Sequence, residues 1–314
     1  MRRYECFGLS IDSEFPLPLP EIPAAVTAQA AAAAAPADLA IVSRNLPFAG
    51  FSGGGFEELA FDAGGARYLP LEEGVLVRLP GSGDFLAASS RIEIVADAGL
   101  SEEEVGDLAA RLALGFVLQV RGKLAFHGAA LSRGGRALAI LGDRGSGKST
   151  AARALAGRGF GMLSDDIVAL GPDGLVPRGL LRSRLNPDSF GQLEPRVPPV
   201  AARRGRDGKY AIDAPLPGEP APLGLAIALE VTETGGVRSR EQKGYAKLQG
   251  LLAHLHAPAG IGSTGGRLKA AAAAFAAVPM RIVARPSDRW AIGELADELE
   301  RLFVECAGGA DGPR

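Results

Sequence analysis

The residues best suited to chemistry lie in one glycine-rich stretch near the middle of the chain. Residues 142–149 read Gly-Asp-Arg-Gly-Ser-Gly-Lys-Ser, which fits the pattern G-x-x-x-x-G-K-[ST]. Glycines let such a loop wrap closely around a phosphate chain, with backbone N–H groups and a helix N-terminus pointing at it. Lys148 then reaches the outer phosphates and Ser149 ligates Mg²⁺. A plain glycine turn is the structural alternative, and the lysine, the serine and both flanking elements argue against it.

A pair of adjacent acids follows the loop. Asp165 comes 17 residues after Lys148, a distance that holds one short helix and the next strand, and Asp166 follows directly. At the end of a strand, two neighbouring side chains point to opposite sides of the pleat. One acid can therefore serve Mg²⁺ while the other takes the proton of an attacking hydroxyl group. The residues leave open which acid does which, and a pair of exposed turn aspartates is the structural alternative.

A lone histidine, His127, lies on the predicted strand before the glycine loop. Such a histidine is more often a core residue whose ring nitrogen is satisfied. If the predicted hairpin brings it beside Asp165 or Asp166, it orients a carboxylate and tunes the pKa of that group.

Three further groups of residues invite a functional interpretation. The basic run 203–209 is either a solvated loop or a clamp for a phosphate or an acidic peptide. Arg182 and Arg184 are rival candidates for stabilising charge on a transferring phosphoryl group. His254 and His256 are predicted to lie in a helix, about 200° apart, where they cannot easily share a metal ion, and we interpret them as structural.

The patterns around these residues predict the elements that must position them. Apolar runs at 124–131 and 136–141, separated by Ser-Arg-Gly-Gly, predict a hairpin, and an Ala-rich helix should run from the loop to about residue 157. A strand is predicted over 161–170 and a long functional loop over 185–222. Further helices are predicted over 101–120, where Ser101 and Glu104 form a capping box, and over the ranges 245–256, 268–277 and 290–304.

Composition narrows the class of protein. With 47% hydrophobic and 22% charged residues the chain is globular, and a formal charge of −2 argues against a nucleic-acid or polybasic membrane partner. Cys6 and Cys306 are too few for a disulfide framework, and the uncharged run 22–37 is too short to span a membrane. We therefore expect a cytoplasmic protein with an α/β fold, in which a β-rich domain (1–100) precedes a P-loop domain (101–314).

Taken together, His127-Gly-Ala-Ala, the glycine loop and Leu163-Ser-Asp-Asp166 resemble the catalytic domain of HPr kinase/phosphorylase. That family comprises bacterial serine kinases whose nucleotide fold is related to phosphoenolpyruvate carboxykinase. The resemblance is good over 120–175 and weak over 176–305. The opening Tyr4–Pro18 is more similar to HPr-kinase homologues of ribosomal peptide pathways, including the lasso-peptide kinases that phosphorylate a precursor's C-terminal serine. The acidic, Gly-rich segment linked to phosphorylase activity is not found; residues 185–222 carry prolines and arginines instead.

The resemblance implies a set of roles. Asp166 is favoured as the general base, Asp165 and Ser149 serve Mg²⁺, His127 matches the family's active-site histidine, and Lys148 acts in transfer. ATP is bound by the loop residues Gly142, Asp143, Arg144, Gly145, Ser146, Gly147, Lys148, Ser149 and Thr150.

The function expected from this resemblance is Mg-ATP-dependent phosphorylation of a serine on a peptide or small protein, with the N-terminal domain helping to select it. The sequence leaves open whether the protein forms a homo-oligomer. The alternatives are a nucleotide-gated regulatory protein without phosphotransfer and a small-metabolite kinase.

Overall fold

The computed structural model describes residues 1–23, 36–48, 56–58, 65–171, 173–195, 202–205, 207–256 and 264–308. It has an α/β fold with several sheets, as the sequence predicts. The chain divides into two compact units, one formed by Met1–Ala125 with His256–Arg267 and the other by Phe126–Leu255 with Leu268–Arg314. These units are defined by packing, so the predicted functional boundary at residue 101 stays a prediction.

The first unit is built on one mixed sheet of eight strands. Its strands are β1 (Arg2–Cys6), β2 (Leu9–Ser13), β3 (Leu39–Ser43), β4 (Glu57–Glu58), β5 (Arg67–Pro70), β6 (Gly74–Leu79), β7 (Gly83–Ala88) and β8 (Arg91–Ala96). They pair in the order β1-β2-β3-β8-β7-β6-β5-β4. Strand β2 shows how the sequence directs this arrangement, because alternate residues Leu9, Ile11 and Ser13 are buried while those between them are not.

A helical segment follows strand β8 in this unit and begins at the predicted capping box. The Ser101 hydroxyl accepts from the Glu104 N–H at 3.2 Å, and the Glu104 carboxylate accepts from the Ser101 N–H at 2.9 Å. The segment comprises α1 (Glu102–Leu108), a π-helical turn (Ala109–Ala113) and α2 (Leu114–Val120). The π-helical turn rotates the buried face, so alanines in the turn are fully buried, whereas Leu108 and Leu112 are only partly buried.

The second unit contains the predicted hairpin and glycine loop. From residue 124 onward the elements are β9 (Leu124–Arg133), β10 (Arg136–Gly142), α3 (Lys148–Ala156), β11 (Gly161–Ser164), β12 (Ile167–Leu170), β13 (Leu175–Val176), β14 (Arg182–Leu185), α4 (Pro187–Leu193), β15 (Arg203–Arg204), β16 (Tyr210–Asp213), β17 (Ala221–Thr232), β18 (Arg238–Gln242), α5 (Gly244–Ala253), α6 (Thr264–Ala274), β19 (Met280–Pro286) and α7 (Ile292–Gly308). The hairpin and the helix after the loop agree with the sequence prediction.

The main sheet of this unit brings several chain segments to one edge. Its order is β11-β9-β10-β17-β19-β18, and β10, β17 and β19 are mutually parallel, so their carboxyl ends share an edge. Strand β9 is antiparallel to β10, with Gly128 opposite Leu141, so the start of β9 lies at that edge too. Strand β11 is antiparallel to β9 and ends there at Ser164. The glycine loop, His127 and the two acids therefore converge.

Helices α3 and α7 pack on this sheet, and α3, which follows the glycine loop directly, anchors the end of the loop. The core contains Leu138, Ile140, Leu225 and Ile227 from the strands, Ala151, Ala152 and Leu155 from α3, and Leu295, Leu299 and Leu302 from α7. Burial of this apolar cluster is the main driving force for placing α3. The loop is thus anchored at both ends, by the central strand β10 and by a helix packed in the core.

Between residues 161 and 222, two elements predicted from the pattern were wrong. The strand predicted over 161–170 is interrupted at Asp165–Asp166, because Asp166 has a left-handed backbone (φ +69°) that a continuous strand cannot accommodate. The long loop predicted over 185–222 contains α4, β15 and β16 in its described part, and β15 and β16 form a small three-stranded sheet with β14. Apolar contacts such as the Phe190–Tyr210 ring stack stabilise it without producing a regular sequence period.

Within the described ranges, no helix is long and apolar enough to cross a membrane. Cys6 and Cys306 are both free thiols.

Candidate functional site

The glycine loop joins β10 to α3 with a backbone that requires glycine at specific positions. Gly142, Gly145 and Gly147 all have positive φ angles, of +144°, +82° and +97°. A Cβ atom at Gly142 would lie 2.7 Å from the Ser146 hydroxyl and 2.8 Å from the Leu229 carbonyl oxygen. The loop therefore depends on glycine for its curvature and for the close approach of the Ser146 side chain and of strand β17. The Ser146 hydroxyl is buried inside this curve without a hydrogen-bond partner.

Lys148, the first residue of α3, folds over the start of the loop. It is 7% exposed, and its ammonium group donates to the carbonyl oxygens of Gly142 and Asp143, both at 2.8 Å. Burial lowers the pKa of Lys148 to about 8, although nearby carboxylates oppose this shift. The ammonium group at the start of the loop thus donates hydrogen bonds to two neutral carbonyl groups. Hydrogen bonds to an anion bound in the loop would be stronger than these, because both partners would then be charged.

Ser149 and Asp165 meet directly beside the lysine. The Ser149 hydroxyl donates to Asp165 Oδ1 at 3.0 Å, and the Asp166 N–H donates to the same oxygen at 3.0 Å. Asp165 is 2% exposed, and its other oxygen, Oδ2, is buried with no hydrogen-bond partner. The neighbouring Ser183 hydroxyl donates to the Met162 sulfur at 3.6 Å, and it lies close enough to Asp165 to lower the pKa of that carboxyl group. A buried carboxylate oxygen without a donor costs free energy, and a cation bound there would remove that cost.

The electrostatics of Asp165 follow from this burial. Burial and the adjacent Asp166 carboxylate raise the pKa of Asp165, and the hydrogen-bonding groups of Asp166, Ser149 and Ser183 only partly offset this rise. Asp165 is therefore a carboxyl group whose charged form is only partly compensated. The described residues contain no cluster of three or more histidine, cysteine or acidic side chains suited to a metal ion. One hydroxyl and one carboxylate are nonetheless the protein ligands that a phosphate-bound Mg²⁺ needs.

Asp166 occupies the turn between β11 and β12 and is only partly buried. Its carbonyl oxygen accepts from the Gly128 N–H at 3.2 Å and lies 3.1 Å from His127 Nδ1. Because a carbonyl oxygen can only accept, His127 Nδ1 carries the proton in this contact. His127 thus holds the backbone of Asp166. The contact is to a carbonyl oxygen, whereas the role considered from the sequence was to orient a carboxylate.

Burial also determines the charge state of His127. The pKa of His127 is lowered to about 4, chiefly by burial and then by the Lys148 charge. The ring is therefore neutral at pH 7, with Nδ1 protonated and Nε2 able to accept. A neutral ring keeps the hydrogen bond to Asp166 without adding positive charge to the site.

A second histidine, His254, lies near the loop, which sequence reasoning missed. Helix α5 ends at Ala253, so His254 lies beyond the helix, contrary to the prediction. Its carbonyl oxygen accepts from the His127 N–H at 2.9 Å, and its Nδ1 lies 3.8 Å from Asp143 Oδ1. Burial is the main cause that lowers the pKa of His254. No signal in the sequence indicated this placement, because it results from an isolated β-bridge between Phe126 and Leu255.

His256 belongs to the first unit and has a packing role, as the structural interpretation predicted. Its ring lies 5.2 Å from the Phe116 ring, and a Cβ atom at Gly115 would approach its Nε2 to 2.3 Å. The two histidines of the H-x-H run are thus used differently, one near the loop and the other in a core.

The arginines proposed as phosphoryl ligands are engaged in ion pairs within the small sheet. Arg182 Nε lies 2.7 Å from Asp213, and Arg184 pairs with Asp207. Lys209 lies close enough to Lys148 to contribute to its lowered pKa. Arg206, in the middle of the basic run, lies outside the described residues. Lys209 thus links this region electrostatically to the glycine loop.

Comparisons with known proteins give little further information. No protein-family model matches the chain, and no curated protein matches it. Among solved structures, the chain is weakly similar to an HPr(Ser) kinase/phosphatase from Coxiella burnetii, with 14% sequence identity and a TM-score of 0.29. The match covers 58% of this chain and 98% of that one. A TM-score this low does not establish a shared fold, so the function proposed below rests on the residues of this chain.

Proposed function

We propose that the protein is a P-loop phosphotransferase of the HPr-kinase type, which transfers the γ-phosphoryl group of Mg-ATP to a serine hydroxyl on a peptide or small protein. The observation that carries the proposal is the buried Asp165, which accepts from Ser149 through Oδ1, keeps Oδ2 without a hydrogen-bond partner, and lies close enough to Lys148 to act on the pKa of that lysine. A glycine loop, a lysine, a hydroxyl and an uncompensated carboxylate together match the needs of a triphosphate with its cation.

The chain's own groups have distinct tasks in this proposal. The loop from Gly142 to Thr150 binds the phosphates through backbone N–H groups, and Lys148 exchanges its two carbonyl contacts for phosphate oxygens. Ser149 and Asp165 would hold Mg²⁺, with Oδ2 gaining the partner that it lacks. When bound, Mg²⁺ supplies neutralisation of charge on the phosphate oxygens. Thr150 links the start of α3 to α4, because its hydroxyl donates to the Ser189 hydroxyl at 3.1 Å.

Asp166 is proposed as the base that accepts the proton of the attacking serine hydroxyl. It is less buried than Asp165, and no role at the cation is required of it. His127 positions the turn through the Asp166 carbonyl oxygen and stays neutral. The arrangement agrees with general-base transfer by a carboxylate next to a phosphate site.

Incubation with γ-labelled ATP, Mg²⁺ and separate pools of acceptors tests the proposal. We expect label on serine-containing peptides or small proteins. Label on a metabolite alone would favour a small-metabolite kinase, and nucleotide binding without labelled product would favour a regulatory protein. Lys148→Ala should reduce transfer by at least about 100-fold, because the lysine would contact phosphate in the transition state. Arg289→Ala, at an exposed surface ion pair, is the matched control and should keep full activity.

A further inference from the structure

One arginine contacts the glycine loop from outside. Arg285 lies near the carboxyl end of β19, at the same sheet edge as the loop. Its Nε donates to the Ser146 carbonyl oxygen at 2.6 Å, and its Nη2 donates to the Gly145 carbonyl oxygen at 3.0 Å. Nη1 donates to the carbonyl oxygen of Pro286 at 3.1 Å. The guanidinium group thus donates hydrogen bonds to two consecutive carbonyl groups of the loop and to a third on its own strand.

The geometry of the peptide bond gives these contacts a consequence. In a planar trans peptide, the C=O and the following N–H point in opposite directions. Fixing the Gly145 carbonyl toward Arg285 turns the Ser146 N–H away, and this N–H donates to the Asp143 carbonyl oxygen at 3.1 Å. Fixing the Ser146 carbonyl likewise turns the Gly147 N–H away from the arginine. Arg285 therefore sets the orientation of two N–H groups in the loop.

The fit around Gly147 supports the same conclusion. A Cβ atom at Gly147 would lie 3.1 Å from Arg285 Nε, so glycine leaves the room that the guanidinium group uses. The arginine is about half buried, and burial lowers its pKa. Among the described residues its hydrogen-bond partners are carbonyl oxygens, not a carboxylate. An arginine placed for surface charge would not require this desolvation.

We propose that Arg285 is a positioning residue that preorganises the glycine loop for phosphate binding. The expected effect on nucleotide affinity rests on the proposed function. The expected effect on the order of the loop does not, because it concerns the protein without ligand. The planar fork is essential to this positioning role, since Nε and Nη2 hold the two carbonyl oxygens from fixed positions in one plane, and the single nitrogen of a lysine does not reproduce those positions.

The test compares Arg285→Lys, which keeps the charge, with Arg285→Ala in the full-length protein. Hydrogen exchange of a peptide spanning 142–150 is measured without nucleotide, and the dissociation constant of a fluorescent ATP analogue is measured with Mg²⁺. Both variants should show faster exchange in the loop, unchanged exchange in the β6–β7 strands of the first unit, and binding weakened about tenfold. At saturating ATP, kcat should change little. Arg289→Lys is the matched control and should behave as wild type.

Free guanidinium ion at a non-denaturing concentration provides a second measurement. It should restore loop protection and analogue binding in Arg285→Ala and leave Arg285→Lys unaffected, because the lysine side chain fills part of the space. Wild-type exchange and affinity in Arg285→Lys would overturn the proposal, since charge alone would then suffice. If wild-type protein binds no nucleotide, the proposed function fails, while loop exchange still decides the role of Arg285.

Discussion

Asp165 and Asp166 are neighbours in the sequence but have different surroundings. Asp165 is buried and keeps one oxygen without a partner, whereas Asp166 is partly exposed on a left-handed turn held through its carbonyl oxygen. The sequence predicts an acid pair near the loop, and the structure brings both acids to it. It could not predict the difference between them, because that difference arises from the turn that interrupts the strand.

These surroundings predict separable effects of replacing each acid by its amide. Asp165→Asn should abolish measurable Mg²⁺-dependent nucleotide binding, because the charge opposite the cation is lost. Asp166→Asn should keep the nucleotide dissociation constant within about twofold and lower kcat by about 100- to 10,000-fold, the usual contribution of a general base. Equilibrium binding and single-turnover transfer measure the two effects. If Asp166→Asn loses nucleotide binding and Asp165→Asn does not, the two roles must be exchanged.

His254 and Arg285 mark the limit of residue-level prediction. Both approach the loop through pairing between segments far apart in sequence: a single β-bridge for His254 and the β17–β19 ladder for Arg285. Neither residue belongs to a local motif. Periodicity reports which face of an element is apolar, but it does not report which elements become neighbours.

At the scale of elements, local signals were reliable where local physics determines the outcome. The capping box at Ser101, the hairpin of β9 and β10 and the start of α3 at Lys148 all follow from short-range hydrogen bonds and turn residues. Prediction failed where tertiary contacts decide. The π-helical turn after Leu108 and the small sheet in the region 185–222 depend on packing that no local pattern encodes.

The hairpin of β1 and β2 gives a prediction about stability and pH. Arg3 donates to both oxygens of Asp12 at 2.7 Å, and this contact lowers the pKa of Asp12. A lowered folded-state pKa means that the stabilisation is present above the ordinary carboxyl pKa of about 4. It is lost as the pH falls through the lower, folded-state value. Asp12→Asn should therefore reduce the free energy of unfolding at pH 7, and the gap to wild type should close at acid pH.

Urea unfolding at several pH values between 7 and 3 measures this gap. Asp97→Asn, which changes an exposed carboxyl group in the same unit, is the control and should show little difference from wild type at any pH. A gap for Asp12→Asn that stays constant down to pH 3 would contradict the assignment of the effect to the ion pair.

For the whole molecule, the sequence predicts a β-rich domain followed by a P-loop domain, and this division of tasks stays a prediction. In the structure, the eight strands of the first sheet precede the glycine loop in the chain. The residues of the candidate site all belong to the second compact unit. The sequence could not show that the first unit also takes a stretch from beyond α5, because that depends on where one short segment pairs.

We further propose that the first unit helps to select the acceptor, since it contains none of the residues assigned to phosphate or cation. An acceptor peptide that carries a photo-cross-linking group away from its serine should form adducts with residues in 1–100 of the intact protein, as mapped by mass spectrometry. Unlabelled acceptor should compete for these adducts, and a scrambled peptide should not form them. Adducts confined to 126–255 would contradict a selecting role for the first unit.

The packing of His256 beneath Gly115 has a consequence for the gene. The side chain that completes the core around Phe116 is encoded more than a hundred codons after it, with the whole of the intervening hairpin and loop between them. A cut near codon 125 would therefore separate Phe116 from its aromatic neighbour, and a fragment ending there would expose an apolar surface that the intact chain covers. A gene chimera that exchanges the first unit must accordingly transfer two separate segments, Met1–Ala125 and His256–Arg267.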